Sequence, residues 1–253
     1  MTLRHLMHAV IETGRISAPT LVESALGRLT PSRCDARLEQ WSARILERAR
    51  IELKTIGLEH APAGEAVVVM SNHQSLYDIP VLYRALKMPL RMVAKNELFR
   101  VPLWGSAMRR AGFVEVDRKD RARAIESLSA ATGALSRGLS IWIAPEGTRS
   151  EDGRLGPFKR GGFHLAEDAG VRILPVTVIG TGQVLSARSH EVHDGVTVSV
   201  VLHPPIDPKE YGPERREELV TAVRASIASA LPEPGRRDTA PLPATAVRAH
   251  APT

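Results

Sequence analysis

Residues 66–80 read Ala-Val-Val-Val-Met-Ser-Asn-His-Gln-Ser-Leu-Tyr-Asp-Ile-Pro. The first six carry no charge, which predicts a strand covered on both faces, as in a parallel sheet. Pro80 suits the first turn of a helix, where its missing N–H goes unused, so a helix is expected to start between Tyr77 and Ile79. His73 then falls in the loop at the strand's end, with Asp78 near the helix N-terminus. Five residues with a tight turn bring an imidazole and a carboxylate within reach. Asp78 would then fix the ring's tautomer, leaving the other nitrogen to take a proton from a hydroxyl. The same spacing suits a plain helix cap at Asp78 with His73 as a loop residue, and spacing alone leaves both readings open.

Working outward, short apolar runs alternate with helical patterns. Strands are expected at 66–71, 91–95, 112–117, 139–144, 172–179 and 195–202, and helices at 78–87, 97–110, 119–137, 157–169 and 213–230. Gly138 and Gly170 stand where helices stop. The run at 172–179 reads as a core strand interrupted by Pro175, and the alternating run at 195–202 as an edge or antiparallel strand. The expected fold class is α/β: a mixed, largely parallel sheet flanked by helices, with an N-terminal amphipathic helical extension. Residues 1–30 read as two short helices broken near Gly14 and ending near Gly27. A longer helix is expected over 34–55, with Leu38, Trp41, Ile45, Leu46, Ala49 and Leu53 on one face. The last 22 residues hold five prolines and no apolar periodicity. The domain reading is therefore an extension at 1–33, a folded domain at 34–231 and a disordered Pro-rich tail at 232–253.

Composition narrows the function classes. The 253 residues are 43% hydrophobic, enough for a full core, and only 4% aromatic, so that core must be aliphatic. Lys and Arg total 34 against 28 Asp and Glu, a net charge of +6 that suits phosphates, anionic headgroups or nucleic acid. A lone Cys34 excludes an internal disulfide framework and a cysteine-based zinc cluster. No stretch of about 18 apolar residues is present, and the N-terminus lacks a signal-peptide pattern, so secretion is not expected.

Further polar clusters follow the other strands. Pro145-Glu146-Gly147-Thr148-Arg149-Ser150 comes directly after an apolar run, where open α/β sheets collect ligands. Gly147 permits close backbone approach, and Arg149 offers a planar fork for phosphate or carboxylate. A turn with a surface ion pair satisfies the same residues. Gly112-Phe113-Val114-Glu115-Val116-Asp117-Arg118 ends another strand and leads into Lys119, Arg121 and Arg123, which also reads as a solvated basic helix start. His5 with His8, and His190 with His193, are poor metal clusters and read as surface residues.

Taken in order, these residues resemble the glycerolipid acyltransferase family of the bacterial 1-acylglycerol-3-phosphate acyltransferase type. Its four blocks are matched by Asn72, His73 and Asp78, by Gly112, Asp117 and Arg118, by Pro145 to Ser150 in full, and by Leu174-Pro175-Val176. The resemblance covers about 40–205 and takes in Ala94-Lys95, Glu97-Leu98 and Phe158-Lys159-Arg160-Gly161. Ala144 and Glu115 stand where the family often has an aromatic.

The resemblance implies an O-acyltransferase of phospholipid biosynthesis. It would move a fatty acyl group from acyl-CoA or acyl-carrier protein to the free hydroxyl of a lysophospholipid, turning lysophosphatidate into phosphatidate. His73 would be the general base and Asp78 its orienting partner. Arg118 and Arg149 would bind the acceptor phosphate, and Glu146 would hold arginine or polar substrate groups. Gly147 and Thr148 would help build an anion pocket, and Lys95 and Lys159 are further candidates for phosphate or donor contacts. No cofactor or metal is called for, since the thioester is a co-substrate, and no nucleic-acid partner is expected. Another lysolipid or a glycolipid is an alternative acceptor, and a non-catalytic module for anionic lipid is a different class that leaves the His-Asp pair unexplained. The chain has no Gly-x-Ser-x-Gly elbow for a serine hydrolase. An amphipathic front end with arginines would seat the protein on an anionic membrane surface, peripheral on the cytoplasmic face of the cell membrane. Residues 1–30 serve this better than 38–53, whose stripe, although it includes Trp41, also suits packing on the domain.

Overall fold

A computed structural model describes residues 3–116 and 121–232. In chain order its elements are α1 (Leu3–Ala25), α2 (Pro31–Arg48), β1 (Glu52–Ile56), β2 (Val68–Ser71), α3 (Asp78–Leu86), β3 (Leu90–Lys95), α4 (Asn96–Phe99), α5 (Trp104–Arg110), β4 (Val114–Val116), α6 (Arg121–Ser136), β5 (Ser140–Ile143), α7 (Gly161–Ala169), β6 (Ile173–Ile179), α8 (Thr181–Val184), β7 (Thr197–Leu202) and α9 (Arg216–Ser229). The strands form one sheet in the order β1-β7-β6-β2-β5-β3-β4. Neighbours run parallel except β6 and β7, which are antiparallel. The sheet is thus mixed and largely parallel, flanked by helices.

The apolar run that opens the argument sits in the middle of this sheet. Successive residues point to opposite faces, and Val67 and Val69 enter one core while Val68 and Met70 enter the other. The first core is closed by α2 and α3, with Leu38, Ile45, Leu46, Val81, Leu82 and Leu86. The second is closed by α6, α7 and α9, with Ala134, Leu135, Phe163, Leu165, Leu219 and Ile227. A strand packed on both faces is mostly apolar, and the dense polar cluster begins where β2 ends at Ser71.

Several boundaries differ from the sequence reading, each for a local reason. The front end is a single helix through Gly14 and Pro19, because α1 lies against α2 along its length. Trp41 Nε1 donates to Thr13 Oγ1 at 3.3 Å and Arg37 donates to Thr20 Oγ1 at 3.1 Å. Trp41 is therefore half-buried beneath α1 rather than placed at a surface. The helix expected to reach residue 55 stops at Arg48: Arg50 takes φ +48°, the left-handed turn usually given to glycine, and β1 follows. β1 pairs with β7, so β7 is antiparallel to β6 but is not an edge. Pro102 and a left-handed Leu103 split the expected 97–110 helix into α4 and α5. The helix expected from 157 starts at Gly161. Pro175 does not interrupt β6: its carbonyl accepts from His203 N, so its nitrogen faces the end of β7, where a donor is not needed. His5, read as a surface residue, is buried against Asp194 at 2.9 Å.

Helix α1 is arranged polar side in. Glu12, Ser17 and Thr20 are buried, while Leu6, Met7, Val10 and Ile11 are exposed. Among the described residues no helix is long and apolar enough to cross a membrane. Of the residues named for the tail, 233–253 lie outside the described residues.

Candidate functional site

The C-terminal ends of β2, β5 and β3 lie side by side, and the polar blocks follow them. After β2 the chain turns so that Asp78, the first residue of α3, faces back on the loop. Asp78 is wholly buried. Its Oδ2 accepts from His73 Nδ1 at 2.7 Å, Gln74 N at 2.8 Å and Ser75 N at 3.0 Å, and its Oδ1 accepts from Thr181 Oγ1 at 2.5 Å. Oδ2 accepts from two backbone N–H groups, so it is assigned as acceptor from the ring as well, which puts the imidazole proton on Nδ1 and leaves the Nε2 lone pair over. His73 is partly exposed, and among the described residues Nε2 has no hydrogen-bond partner. Trp142 stands edge-on to the ring, with centroids 5.6 Å apart, and its Nε1 donates to Ser71 Oγ at 2.9 Å.

The Pro145–Ser150 block grips the backbone of the same histidine. His73 N donates to Glu146 Oε1 at 3.0 Å, and Ser150 N donates to the His73 carbonyl at 2.7 Å. Glu146 Oε2 accepts from Gly156 N at 2.8 Å, so both carboxylate oxygens are taken by backbone donors. Burial pushes the Glu146 carboxyl above its ordinary range, against the lowering effect of those two N–H groups. Arg224 of α9 in turn donates to the Leu155 and Gly156 carbonyls and covers the Phe158 ring at 5.3 Å.

Gly147 has φ +74°, and a Cβ there would lie 2.7 Å from Lys159 Nζ. The turn requires glycine, whereas the end of the lysine laid across it would swing aside for a Cβ. Lys159 is fixed by its own N–H, which donates to Pro145 O at 2.8 Å. Residues 156–160 instead run as a loop tied to the Pro145–Ser150 block through the Gly156 and Lys159 N–H groups, and α7 begins only after it, at Gly161. Thr148 is exposed, and Arg149 is half-buried with no ion pair among the described residues. Lys95 is the last residue of β3 and exposed on the same edge of the sheet. Arg118, with Asp117 and Lys119, lies outside the described residues. His73, Asp78, Glu146, Gly147 and Lys159 are thus brought together by direct contacts, and Thr148, Arg149 and Lys95 share their edge.

Beside Gln74 opens a cleft of about 1000 Å³, walled by the loop at 150–155, by Gly180, Gly182 and Gln183, and by Arg224. Among the described residues no group of three His, Cys, Asp or Glu is arranged to hold a metal. The sequence reading did not single out Thr181, Gly156, Trp142 or Arg224. Each carries its contact from an element without a local motif.

Comparison with known proteins converges on one family. Residues 52–179 match the family model described as Acyltransferase. The chain is 36% identical over 176 residues to the chloroplastic 1-acyl-sn-glycerol-3-phosphate acyltransferase BAT2 of Brassica napus, covering 69% of this chain and 49% of that one. Against the 1-acyl-sn-glycerol-3-phosphate acyltransferase of Escherichia coli strain K12 it is 33% identical over 171 residues, covering 67% and 68%. The crystal structure of the 1-acyl-sn-glycerophosphate acyltransferase PlsC of Thermotoga maritima superposes with a TM-score of 0.73 at 28% identity, covering 89% of this chain and 93% of that one. The chain spans about half the length of the chloroplast relatives that it matches. On the matched half of its own length and on these likenesses, the chain belongs to the acyltransferase family.

Proposed function

We propose that the protein transfers a fatty acyl group from an acyl thioester, of coenzyme A or acyl-carrier protein, to the free hydroxyl of 1-acylglycerol-3-phosphate, yielding phosphatidate. The observation that carries this reading is the 2.7 Å His73–Asp78 pair, held through the His73 peptide by Glu146 and Ser150, with Nε2 left open. The relatives named above carry the same activity in their names.

The acceptor hydroxyl gives its proton to His73 Nε2 as its oxygen attacks the thioester carbonyl. The resulting oxyanion collapses, the C–S bond breaks, and the leaving thiolate takes the proton back from the imidazolium. Asp78 keeps the ring in one tautomer and stabilises its charged form, and the pair contributes about 10²–10⁴-fold in rate. The acceptor oxygen is itself the nucleophile, so no acyl-enzyme forms. Arg149 takes the acceptor phosphate, assisted by Arg118, and Lys95 and Lys159 add positive charge along the same edge. Thr148, which is exposed, contributes its hydroxyl to the anion pocket; the Gly147 N–H does not join it, because it donates to Ala144 O at 3.0 Å and closes the turn instead. Glu146 serves as the brace of His73. The apolar side of α1, with Leu6, Met7, Val10 and Ile11, lies in the headgroup region of an anionic bilayer on the cytoplasmic side, where acceptor and product reside.

The experiment is acyl transfer to lysophosphatidate in anionic vesicles, run with radiolabelled acyl-CoA and with acyl-carrier protein thioester. Phosphatidate formed from at least one donor, with Arg149→Ala raising KM for lysophosphatidate about tenfold or more, is the expected result. No transfer from either donor overturns the reading.

A further inference from the structure

Asp78 divides its hydrogen bonds unevenly. Among the described residues Oδ2 carries three N–H donors, one of them His73 Nδ1 at 2.7 Å, while Oδ1 has one partner, Thr181 Oγ1 at 2.5 Å. Three donors on one oxygen hold that atom in place but leave the plane of the carboxylate to be set from the other side. The Thr181 hydroxyl sets it. Thr181 is wholly buried, so its hydroxyl meets neither solvent nor substrate. It is the first residue of α8, one past the Gly180 cap, and its hydroxyl donates out of the helix to Asp78.

The position of that hydroxyl is fixed by the sheet. Asn72 Nδ2 donates to Val178 O at 2.7 Å and Val178 N donates to Asn72 Oδ1 at 2.8 Å, so the amide behaves as one more rung between β2 and β6. Gly180 then turns the chain at φ +93°, where a Cβ would lie 2.6 Å from Thr197 O, so no other residue makes this turn without moving β7. Beyond α8, Leu185 O accepts from Ser75 Oγ at 2.7 Å. Residues 178–185 are therefore tied at both ends to the loop that carries His73.

We propose that Thr181 is the positioning residue of the His73–Asp78 pair: its hydroxyl locks the Asp78 carboxylate so that Oδ2 stays on Nδ1 while Nε2 takes and returns the proton. The proposal rests on the general-base mechanism given above. Without the hydroxyl, Oδ1 is a buried acceptor with no donor, the carboxylate turns to find one, and the aim of Nε2 is lost.

The test uses the full chain in anionic vesicles, with Thr181→Val, Thr181→Ser, and His73→Ala as control, each rate referred to folded protein by circular dichroism. Thr181→Val keeps the shape and removes the donor. It is expected to lower kcat about ten- to hundredfold, in line with the cost of small misplacements of a reacting group, with KM for both substrates unchanged. Thr181→Ser, which keeps the hydroxyl, is expected to restore kcat to within about threefold. Wild-type kcat in Thr181→Val, with His73→Ala inactive, overturns the proposal and spares the mechanism. An equal loss in the serine variant also overturns it, since the γ-methyl would then be what matters. Full activity in His73→Ala overturns the mechanism and the proposal together. Should the valine variant fail to fold, Thr181→Cys takes its place as a weak donor of similar volume; a kcat equal to that of the serine variant overturns the proposal.

Discussion

The edge of the sheet that carries His73 and helix α1 both bury carboxylates, and they satisfy them in opposite ways. Asp78 and Glu146 accept from backbone N–H groups, from the His73 ring and from one buried hydroxyl. Glu12 of α1 is as deeply buried, yet its partners are Arg15 at 2.7 Å and Arg44 at 2.9 Å, whose side chains are 61% and 41% exposed. Burial alone would raise the Glu12 carboxyl, but hydrogen bonds from these two arginines outweigh it and hold the group below its ordinary range. Backbone donors stand where the fold puts them, whereas arginines swing on long flexible stems. The edge is thereby fixed in geometry, and α1 is held by partners that give way, with its apolar side outward. The rigid set surrounds the pair to which the proposed mechanism gives the proton, and the compliant set holds the helix that the proposal lays on a bilayer.

The comparison breaks first if the edge tolerates change. Asp78→Asn is expected to lower kcat about 10³-fold with the fold retained, as read by acyl-transfer rate and circular dichroism. Next in size is His203, a buried group fixed by the sheet: its Nε2 lies 2.8 Å from Thr177 Oγ1, and burial pulls its pKa from 6.5 down to about 4. The folded state favours the neutral ring, so this contribution is fully present above pH 6.5 and is lost as pH falls toward 4. That lowering amounts to about 3 kcal/mol. Urea unfolding at pH 7 and pH 4 should show that loss in the wild type and a smaller one in His203→Gln.

Glu146→Ala strands two buried N–H donors, from His73 and Gly156. It is expected to cost about 1–3 kcal/mol of stability and about tenfold in kcat, read by thermal unfolding and steady-state rates. The smallest effect on stability sharpens the other side. Leu6→Ser with Ile11→Ser on the exposed side of α1 should change stability by less than about 0.5 kcal/mol per site, while weakening sedimentation with anionic vesicles. Strong destabilisation there would mean that the apolar side is held by the protein itself.

Much of the frame was legible in the sequence because a parallel sheet covered on both faces leaves long apolar runs. β2, β5 and β6 announce themselves in that way and β7 by its alternation, and the polar blocks after β2 and β5 mark where those strands end. β1 did not: Leu53 suits a helical face as well as a strand, and the turn before it is made by Arg50 rather than by glycine or proline. The stripe with Trp41 suits both a membrane interface and packing on the domain; Trp41 is covered by α1, and only the tertiary packing of two helices decides that. His73, Asp78 and the Pro145–Ser150 block were legible as neighbours in function. Their mutual grip was not, because it runs through the backbone: the His73 peptide bonds to Glu146 and Ser150, and no residue type signals a backbone contact. Thr181 escaped notice for a related reason, standing alone after an apolar strand and about a hundred residues from its partner.

The central claim is that His73 Nε2 takes the acceptor proton, and one measurement bears on it most directly: kcat/KM for lysophosphatidate in anionic vesicles, wild type against His73→Ala, each at matched folded concentration. The account predicts a fall of at least about 10²-fold, with the Asp78→Asn change adding little once His73 is gone. Retention of wild-type transfer by His73→Ala would contradict it.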